Sequence, residues 1–281
     1  MSTVDTIGRL DLLRKWQNHR LEQLGAHPVF PDVGPTNVTI LCYFYRPANQ
    51  IADKFPFTRC AIFETWRHCG IMKTVLVVNE LNKEVEQFRN TYPDWISVQV
   101  EPTLTPGNVD VMSIDCNSKL HTRFDTPYVL IVQDDGFPLR RGLERFLDQA
   151  DYFGSPFRRR NLKGRLAYLL LRDCPGNGGF SLRTQKICRL AAEYWHKYYA
   201  GKPFGPEQVE DIFYSQTLPR RFLKYRFAVR MADPLTASDF SYDGCVPENL
   251  ISNPFGFHSA RAFVTLFNTD IIAHRPQSNL K

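Results

Sequence analysis

One segment, Tyr128-Val-Leu-Ile-Val-Gln133-Asp134-Asp135-Gly136, runs from an apolar stretch directly into two acidic residues and a glycine. The apolar stretch predicts a strand at 128–132 that is buried on both faces, as central strands of parallel sheets are. Ligands of open α/β sheets bind beyond the carboxyl ends of the strands, which is where Asp134 and Asp135 follow. Carboxylates at such a place are typical ligands of Mg²⁺ or Mn²⁺, although Asp and Gly also end strands that bind nothing.

Strands and helices alternate on the N-terminal side of this segment. Runs rich in β-branched and aromatic residues predict strands at 38–44, 74–78 and 95–100, and helices are predicted between them at 56–69 and 82–91. On the C-terminal side, the sequence predicts a helix at 142–150, a turn at 153–156, strands at 167–171 and 179–182, and a helix at 184–199. The alternation predicts an α/β fold with a mostly parallel central sheet flanked by helices.

Helically spaced apolar residues over 7–25, followed by a loop with three prolines, predict an N-terminal helical arm at 1–36. The remainder, 37–281, shows no internal repeat and no linker, so we expect it to form a single domain.

Composition excludes several classes of protein. A hydrophobic fraction of 43% excludes a disordered chain, and seven cysteines without a CxxC pair disfavour a zinc site. No apolar run is long enough to span a membrane, and the first residues do not form a secretory signal. The net charge of +6 suits phosphorylated ligands or an anionic membrane surface, and the run Arg158–Arg160 is typical of a solvated loop. We expect a cytoplasmic protein, with peripheral membrane contact left open.

Three further segments combine glycine, acidic or histidine residues: Gly176-Asn-Gly-Gly-Phe-Ser-Leu-Arg183, Glu210-Asp-Ile-Phe213 and Phe255-Gly-Phe-His258. Gly178 and Gly179 either let a ligand approach the backbone or form a hairpin turn. Glu210 and Asp211 either supply a general base or stabilise a helix N-terminus. His258 is either a metal ligand or a structural histidine.

In chain order, the four segments resemble glycosyltransferases of the GT-A fold. The resemblance is closer to a sequence-defined family with bacterial, fungal and large DNA virus members, which pairs Gln-x-Asp-Gly with Gly-Asn-Gly-Gly-Phe-Ser-Leu-Arg, Glu-Asp-x-Phe and Phe-Gly-Phe-His. It covers residues 38–260. The Asp-x-Asp metal motif of the wider group appears here as Gln133-Asp134-Asp135, and Gln133 brings no negative charge.

The resemblance implies a single GT-A domain that transfers a sugar from a nucleotide diphosphate sugar to a hydroxyl of an oligosaccharide or glycoconjugate acceptor, with inversion. UDP-linked xylose, galactose or N-acetylglucosamine are the candidate donors, and no nucleic acid partner is expected. Two alternatives stay open: a catalytically inactive sugar- or nucleotide-binding protein, and a nucleotidyltransferase.

The resemblance also implies roles for individual residues. Asp211 is the expected base, with Glu210 as the alternative, and Asp135 with His258 is expected to hold Mn²⁺ or Mg²⁺. The residues expected to contact the nucleotide sugar are Tyr43, Arg46, Asn117, Lys119, Gln133, Asp134, Asp135, Gly178 and Gly179.

Overall fold

A computed structural model of the protein describes residues 3–25, 28–30, 32–156, 175–221, 227–243 and 253–267. In its N-terminal half the elements are α1 (Thr3–Leu24), β1 (Val38–Phe44), α2 (Ile51–Cys69), β2 (Thr74–Val78), α3 (Lys83–Thr91), β3 (Ile96–Val100), α4 (Val109–Lys119) and β4 (Tyr128–Ile131). After β4 follow β5 (Gly136–Pro138), β6 (Tyr152–Pro156), β7 (Pro175–Thr184), α5 (Gln185–Tyr198), α6 (Glu210–Ile212), α7 (Leu218–Arg221), α8 (Pro234–Phe240), β8 (Ser241–Tyr242), β9 (Gly256–His258) and α9 (Ala260–Leu266). A π-helical turn, Phe213–Thr217, joins α6 to α7.

The main sheet has six strands in the order β3-β2-β1-β4-β7-β6. β1, β2, β3 and β4 are mutually parallel, whereas β7 runs antiparallel to both β4 and β6. Alternate residues of the parallel strands face two separate cores: Leu41 and Val75 pack on the side of α5, and Ile40 and Leu76 pack on the side of α2. The predicted mixed α/β fold with a mostly parallel sheet is confirmed.

A second, three-stranded sheet in the order β5-β9-β8 lies beyond the end of β4. Gln133 and Gly136 exchange two backbone hydrogen bonds of 3.0 and 3.1 Å, so the chain turns tightly from β4 into β5. β5 pairs antiparallel with β9 in a register that sets Gly136 opposite His258. Pairing between segments far apart in sequence therefore brings His258 to the carboxyl end of the central strand.

The helix α1 packs along this second sheet and against α2 and α9. Trp16 stacks on Phe137 of β5 with ring centroids 5.9 Å apart and also contacts Phe263 of α9. Arg14 lies over the ring of Phe57 in α2 at 4.2 Å. The division of the chain into an arm at 1–36 and a domain at 37–281 stays a prediction.

Some of the predicted strands and helices are confirmed, and others are wrong. The strands predicted at 38–44, 74–78, 95–100 and 128–132 are confirmed to within one residue, and so are the predicted helices at 82–91 and 184–199. The turn predicted at 153–156 is wrong, because these residues belong to β6. The helix predicted at 142–150 is also wrong, since only a 3₁₀ turn forms at Leu143–Phe146. The strand predicted at 167–171 and the run Arg158–Arg160 lie outside the described residues.

Within the described ranges, no helix is both long and apolar enough to cross a membrane.

Candidate active site

Three polar side chains converge where β4 ends. The Nε2 atom of His258 lies 3.5 Å from Oδ1 of Asp135 and 3.3 Å from Oε1 of Gln133. The Asp135 side chain is 29% exposed and that of His258 is 15% exposed, so the group opens to solvent. Two acceptor oxygens thus face one imidazole nitrogen, which can donate a single proton. The arrangement leaves an excess of acceptors at this edge of the sheet.

This donor set fits a divalent cation. Carboxylate and amide oxygens together with a neutral imidazole are ligands of Mn²⁺, and Mg²⁺ is often held by one or two carboxylates and completed by substrate phosphates. No cluster of three or more His, Cys, Asp or Glu side chains suited to a metal occurs in the part of the chain that the structure describes. Asp135 and His258 therefore fit an open site whose remaining ligands would come from a bound diphosphate.

Asp134 is held by arginines. Its Oδ2 atom lies 2.7 Å from Nη2 of Arg14 in α1 and 3.7 Å from Nη2 of Arg46, which follows β1. Its carbonyl oxygen accepts a hydrogen bond of 2.6 Å from the side-chain amide of Gln17. Arg46 stays 41% exposed, so its guanidinium also remains available to an anionic ligand beside the acidic strand end.

Gly178 and Gly179 lie in the middle of β7, in a strand without positive φ, so the hairpin-turn interpretation is wrong. A Cβ atom on Gly178 would lie 2.6 Å from Oδ1 of Asp211, and one on Gly179 would lie 2.6 Å from Oε1 of Gln133. Both positions are thus filled by side chains from facing elements. Glycine is needed here because the site's own side chains pack directly on the backbone of β7.

The two adjacent acidic residues of α6 have different surroundings. Glu210 pairs with Arg183, whose side chain is fully buried. Asp211 instead accepts a hydrogen bond of 2.5 Å from the backbone N–H of Gly178 on Oδ1. No hydrogen bond reaches its Oδ2 atom from the residues that the structure describes. A π-helical turn follows immediately, a feature that is frequent at functional sites.

Burial of the Asp211 carboxyl raises its pKa above the ordinary value, while the Gly178 N–H, His258 and Arg183 oppose the rise. Burial also raises the pKa of Asp135, and the nearby imidazole of His258 opposes this rise. A carboxyl with a raised pKa in a cleft is typical of a general acid or base.

The sequence analysis missed Asp243, which follows β8. Burial raises the pKa of Asp243, and His258 is the first of the groups that oppose the rise. Its carboxylate accepts hydrogen bonds of 3.2 Å from Nδ2 of Asn177 and 2.8 Å from Oγ of Ser259. Ser259 has φ +83 and caps α9, and its N–H donates to the carbonyl oxygen of Asp135. The only sequence signal was an acidic residue among polar ones after Arg230, in a region without periodicity.

The remaining predicted site residues, Tyr43, Asn117 and Lys119, form hydrogen bonds or ion pairs with residues outside this group. Tyr43, near the end of β1, donates a hydrogen bond of 2.7 Å to Asp115 of α4. Asn117 is fully buried and donates to the carbonyl oxygen of Gln208, so its contacts hold the segment before α6. Lys119 is 49% exposed and pairs with Glu101 at 3.0 Å.

A family model described as a protein of unknown function, DUF5672, matches residues 98–258, more than half of the chain. The chain belongs to the DUF5672 family. The matched region of this DUF5672 protein contains all four segments quoted above, from Gln133 to His258. No curated protein is significantly similar to its sequence.

Among solved structures, the DUF5672 protein is similar to a mannosyltransferase from Pyrobaculum calidifontis in complex with GDP-Man and Mn²⁺, with a TM-score of 0.37 and 15% identity over 74% of this chain and 60% of that chain. It is also similar to the apo form of the glycosyltransferase GlyE of Streptococcus pneumoniae (TM-score 0.46, 11% identity, 80% of this chain and 54% of that chain). A third is mouse xyloside xylosyltransferase 1 in its apo form (TM-score 0.46, 12% identity, 80% of this chain and 98% of that chain). The likeness at these identities concerns the fold alone.

Proposed function

We propose that this DUF5672 protein is a glycosyltransferase that moves a sugar from a nucleotide diphosphate sugar to a hydroxyl of a glycan acceptor. The observation that carries the proposal is the convergence of the four sequence segments. His258 faces Asp135 and Gln133, and Gly178 in the adjacent strand donates to Asp211. Cation ligands and a carboxylate base thus border one stretch of β7, which is the pair of functions that sugar transfer requires.

The departing diphosphate needs positive charge. Asp135 and His258 would hold Mn²⁺ or Mg²⁺, which when bound neutralises the charge that develops on the leaving group. Gln133 supports the same place with an amide oxygen that adds no charge, so metal binding depends more heavily on Asp135. Arg46, half-exposed beside Asp134, supplies a second positive group for the nucleotide. The roles of Tyr43, Asn117 and Lys119 toward the nucleotide sugar stay predictions.

The acceptor hydroxyl must lose a proton, and Asp211 is the better placed of the two carboxylates. The charge of Glu210 is paired with the buried Arg183, whereas Asp211 has no ion-pair partner among the described residues and keeps Oδ2 for a substrate while Oδ1 accepts the Gly178 N–H. The acceptor oxygen then attacks the anomeric carbon as its proton passes to Asp211, and the bond to the diphosphate breaks. Direct displacement of this kind inverts the anomeric configuration.

A donor panel tests the proposal. The protein is incubated with UDP-xylose, UDP-galactose, UDP-N-acetylglucosamine and GDP-mannose in the presence of Mn²⁺, and thermal stability and product release are both measured. A donor at 100 times its dissociation constant stabilises the folded protein by about 2.7 kcal/mol. Slow release of nucleoside diphosphate with free sugar supports the proposal.

Two outcomes contradict it, the first from this panel and the second from a parallel incubation with a nucleoside triphosphate and a sugar phosphate. Stabilisation by a donor without any turnover, with or without glycan acceptors, indicates a binding protein that lacks catalysis. Release of pyrophosphate from a nucleoside triphosphate and a sugar phosphate indicates a nucleotidyltransferase.

A further inference from the structure

Arg183 is the most deeply buried charged residue near the proposed base. Its side chain has no exposure and contacts the stacked rings of Tyr152 and Tyr214, at 5.2 and 4.3 Å from their centroids. This position excludes Arg183 from direct contact with a diphosphate in the open site. Burying a guanidinium is costly unless it is paired and hydrogen-bonded, so its contacts indicate what it does there.

Those contacts lead to Asp211 along two separate connections. In the first, Nη2 pairs with the carboxylate of Glu210, the residue that directly precedes Asp211. In the second, Nε and Nη2 donate to Oγ of Ser181 at 3.1 and 3.0 Å. Ser181 in turn donates a hydrogen bond of 2.8 Å to the carbonyl oxygen of Gly178.

The two connections meet at one hydrogen bond, because the N–H of Gly178 donates to Oδ1 of Asp211. Arg183 therefore connects to both partners of that bond: to α6 through Glu210, and to Gly178 in β7 through Ser181. The N–H of Glu210 is also fixed, since it donates to Oγ of Ser113 in α4 at 3.2 Å. These contacts form a closed loop. Within it, Oδ1 of Asp211 accepts a hydrogen bond and Oδ2 accepts none from the described residues.

We propose that Arg183 is a positioning residue, which holds α6 and β7 in the register where the Gly178 N–H meets Asp211. The inference rests on the proposed function, since it assigns Arg183 to the carboxylate that acts as base. Arg183 touches neither substrate nor the reacting atoms, and it acts through Glu210, Ser181 and Gly178.

The charged groups that face Asp211 are Arg183 from β7, His258 from β9 and Glu210 beside it in α6. The hydrogen bond from Gly178 N–H lowers the pKa of Asp211, and the charges of His258 and Arg183 lower it as well. Loosening the Gly178 contact should therefore raise the pKa of Asp211. This shift is a readout that a role confined to stability does not produce.

The test compares Arg183→Lys, Ser181→Ala and a matched control, Arg20→Lys. Lysine keeps the charge but loses the planar fork that contacts Ser181 and Glu210 together. Ser181→Ala leaves the Arg183–Glu210 pair in place and removes only the connection to Gly178. Arg20 pairs with another buried carboxylate, Glu64, at 2.7 Å, remote from β7.

The titration of the Asp211 carboxyl is followed by ¹³C NMR, with the signal assigned by its loss in Asp211→Asn. We expect Arg183→Lys and Ser181→Ala to raise the titration midpoint by about 0.5 to 1 pH unit, and Arg20→Lys to leave it unchanged. In turnover, both should lower kcat about tenfold, shift the acidic limb of its pH profile upward, and leave the donor KM within about twofold.

Unchanged titration and pH profiles in Ser181→Ala would overturn the inference, and this variant decides the matter if Arg183→Lys does not fold. Failure of the proposed function looks different: Asp211→Asn keeps full turnover, or the wild-type protein transfers no sugar, while the carboxyl titration still reports on Arg183.

Discussion

Two groups of charged side chains border the same strand, β7, and they are built in opposite ways. In the buried cluster, Arg183 and Glu210 pair with exposures of 0% and 8%, and Ser181 joins them to the backbone. In the open group, Asp135 and His258 lie 3.5 Å apart with exposures of 29% and 15%. The buried cluster pairs its guanidinium with its carboxylate, although Nη1 of Arg183 has no hydrogen-bond partner among the described residues, whereas the open group presents more acceptors than donors. The difference indicates that the buried cluster holds the site in place, whereas the open group is available to bind a ligand.

Two adjacent residues of α6 differ in the same way. Glu210 belongs to the buried cluster and Asp211 faces the open group, although the sequence presents them as an equivalent pair. A general base must accept a proton from the substrate, and the charge of Glu210 is already paired with Arg183, whereas the carboxylate of Asp211 is held among the described residues by a backbone N–H alone. Substitution of each carboxylate should therefore have a different effect.

The largest expected effect is that of Asp211→Asn on turnover. The substitution keeps the size of the side chain and an oxygen for the Gly178 N–H, but it removes the proton acceptor. We expect kcat to fall at least about 100-fold, the lower end for loss of a general base. Donor binding, measured by thermal shift with Mn²⁺, should change little.

Glu207→Gln is the matched control, because Glu207 precedes α6 by a short distance and its side chain belongs to neither group. Near-normal kcat in Asp211→Asn would contradict the assignment. Glu210→Gln disturbs the Arg183 pair and is expected to reduce both stability and kcat.

The second prediction concerns the open group and the cation. Asp135→Asn and His258→Ala each remove one expected ligand, so the concentration of Mn²⁺ needed for nucleotide binding should rise at least about tenfold, equivalent to 1.4 kcal/mol. Excess EDTA should abolish turnover of the wild-type protein. His196→Ala, at an exposed position of α5, serves as the control. Full activity in EDTA would contradict this prediction and would indicate that arginines such as Arg46 neutralise the charge of the diphosphate.

The parallel half of the fold could be predicted from the sequence because its strands are buried on both faces and read as apolar runs. The helix α4 could not be predicted from apolar residues, because its buried face carries Ser113, Asp115 and Asn117. β6 reads as a turn because it contains glycine, serine and proline, yet pairing with β7 makes it a strand. Strands as short as β5, β8 and β9 depend on tertiary pairing and leave no periodic pattern.

The resemblance named Asp135, His258 and Asp211 as site residues, and these roles stay predictions, but it did not indicate the contacts around them. No local pattern shows that Asp134 turns to Arg14 or that Glu210 pairs with Arg183. Such choices depend on which elements pack together, and they decide which carboxylate remains available.

The third prediction concerns the glycines of β7. In Gly179→Ala, the added Cβ would lie 2.6 Å from Gln133 Oε1 and close to the imidazole of His258, so the open group must shift. We expect the free energy of unfolding to fall by about 1–3 kcal/mol, as for overpacking, and metal-dependent nucleotide binding to weaken. Gly8→Ala in α1 has nothing within 4 Å of its Cβ and should instead stabilise the protein by about 0.5–1 kcal/mol. Equal and unchanged melting temperatures in both variants would show that the packing on β7 is not tight.

The smallest expected effect is that of Asp211→Asn on stability and its pH dependence. The substitution should raise stability although it lowers turnover. Burial raises the pKa of Asp211 above its ordinary value of 3.8, so the folded protein binds this proton more tightly than the unfolded chain does. The free energy of unfolding therefore falls as pH rises from the unfolded pKa through the folded pKa, and the deficit persists above it. Asp211→Asn removes that deficit. The stability of the variant relative to wild type should therefore increase as pH rises from 4.5 to 8, measured by urea unfolding. Asp125→Asn supplies a control of opposite sign, because a hydrogen bond from Lys73 lowers the pKa of Asp125, and its removal should cost stability at neutral pH. A stability difference for Asp211→Asn that stays constant from pH 4.5 to 8 would mean that Asp211 is ordinarily ionised and that its burial exacts no electrostatic cost.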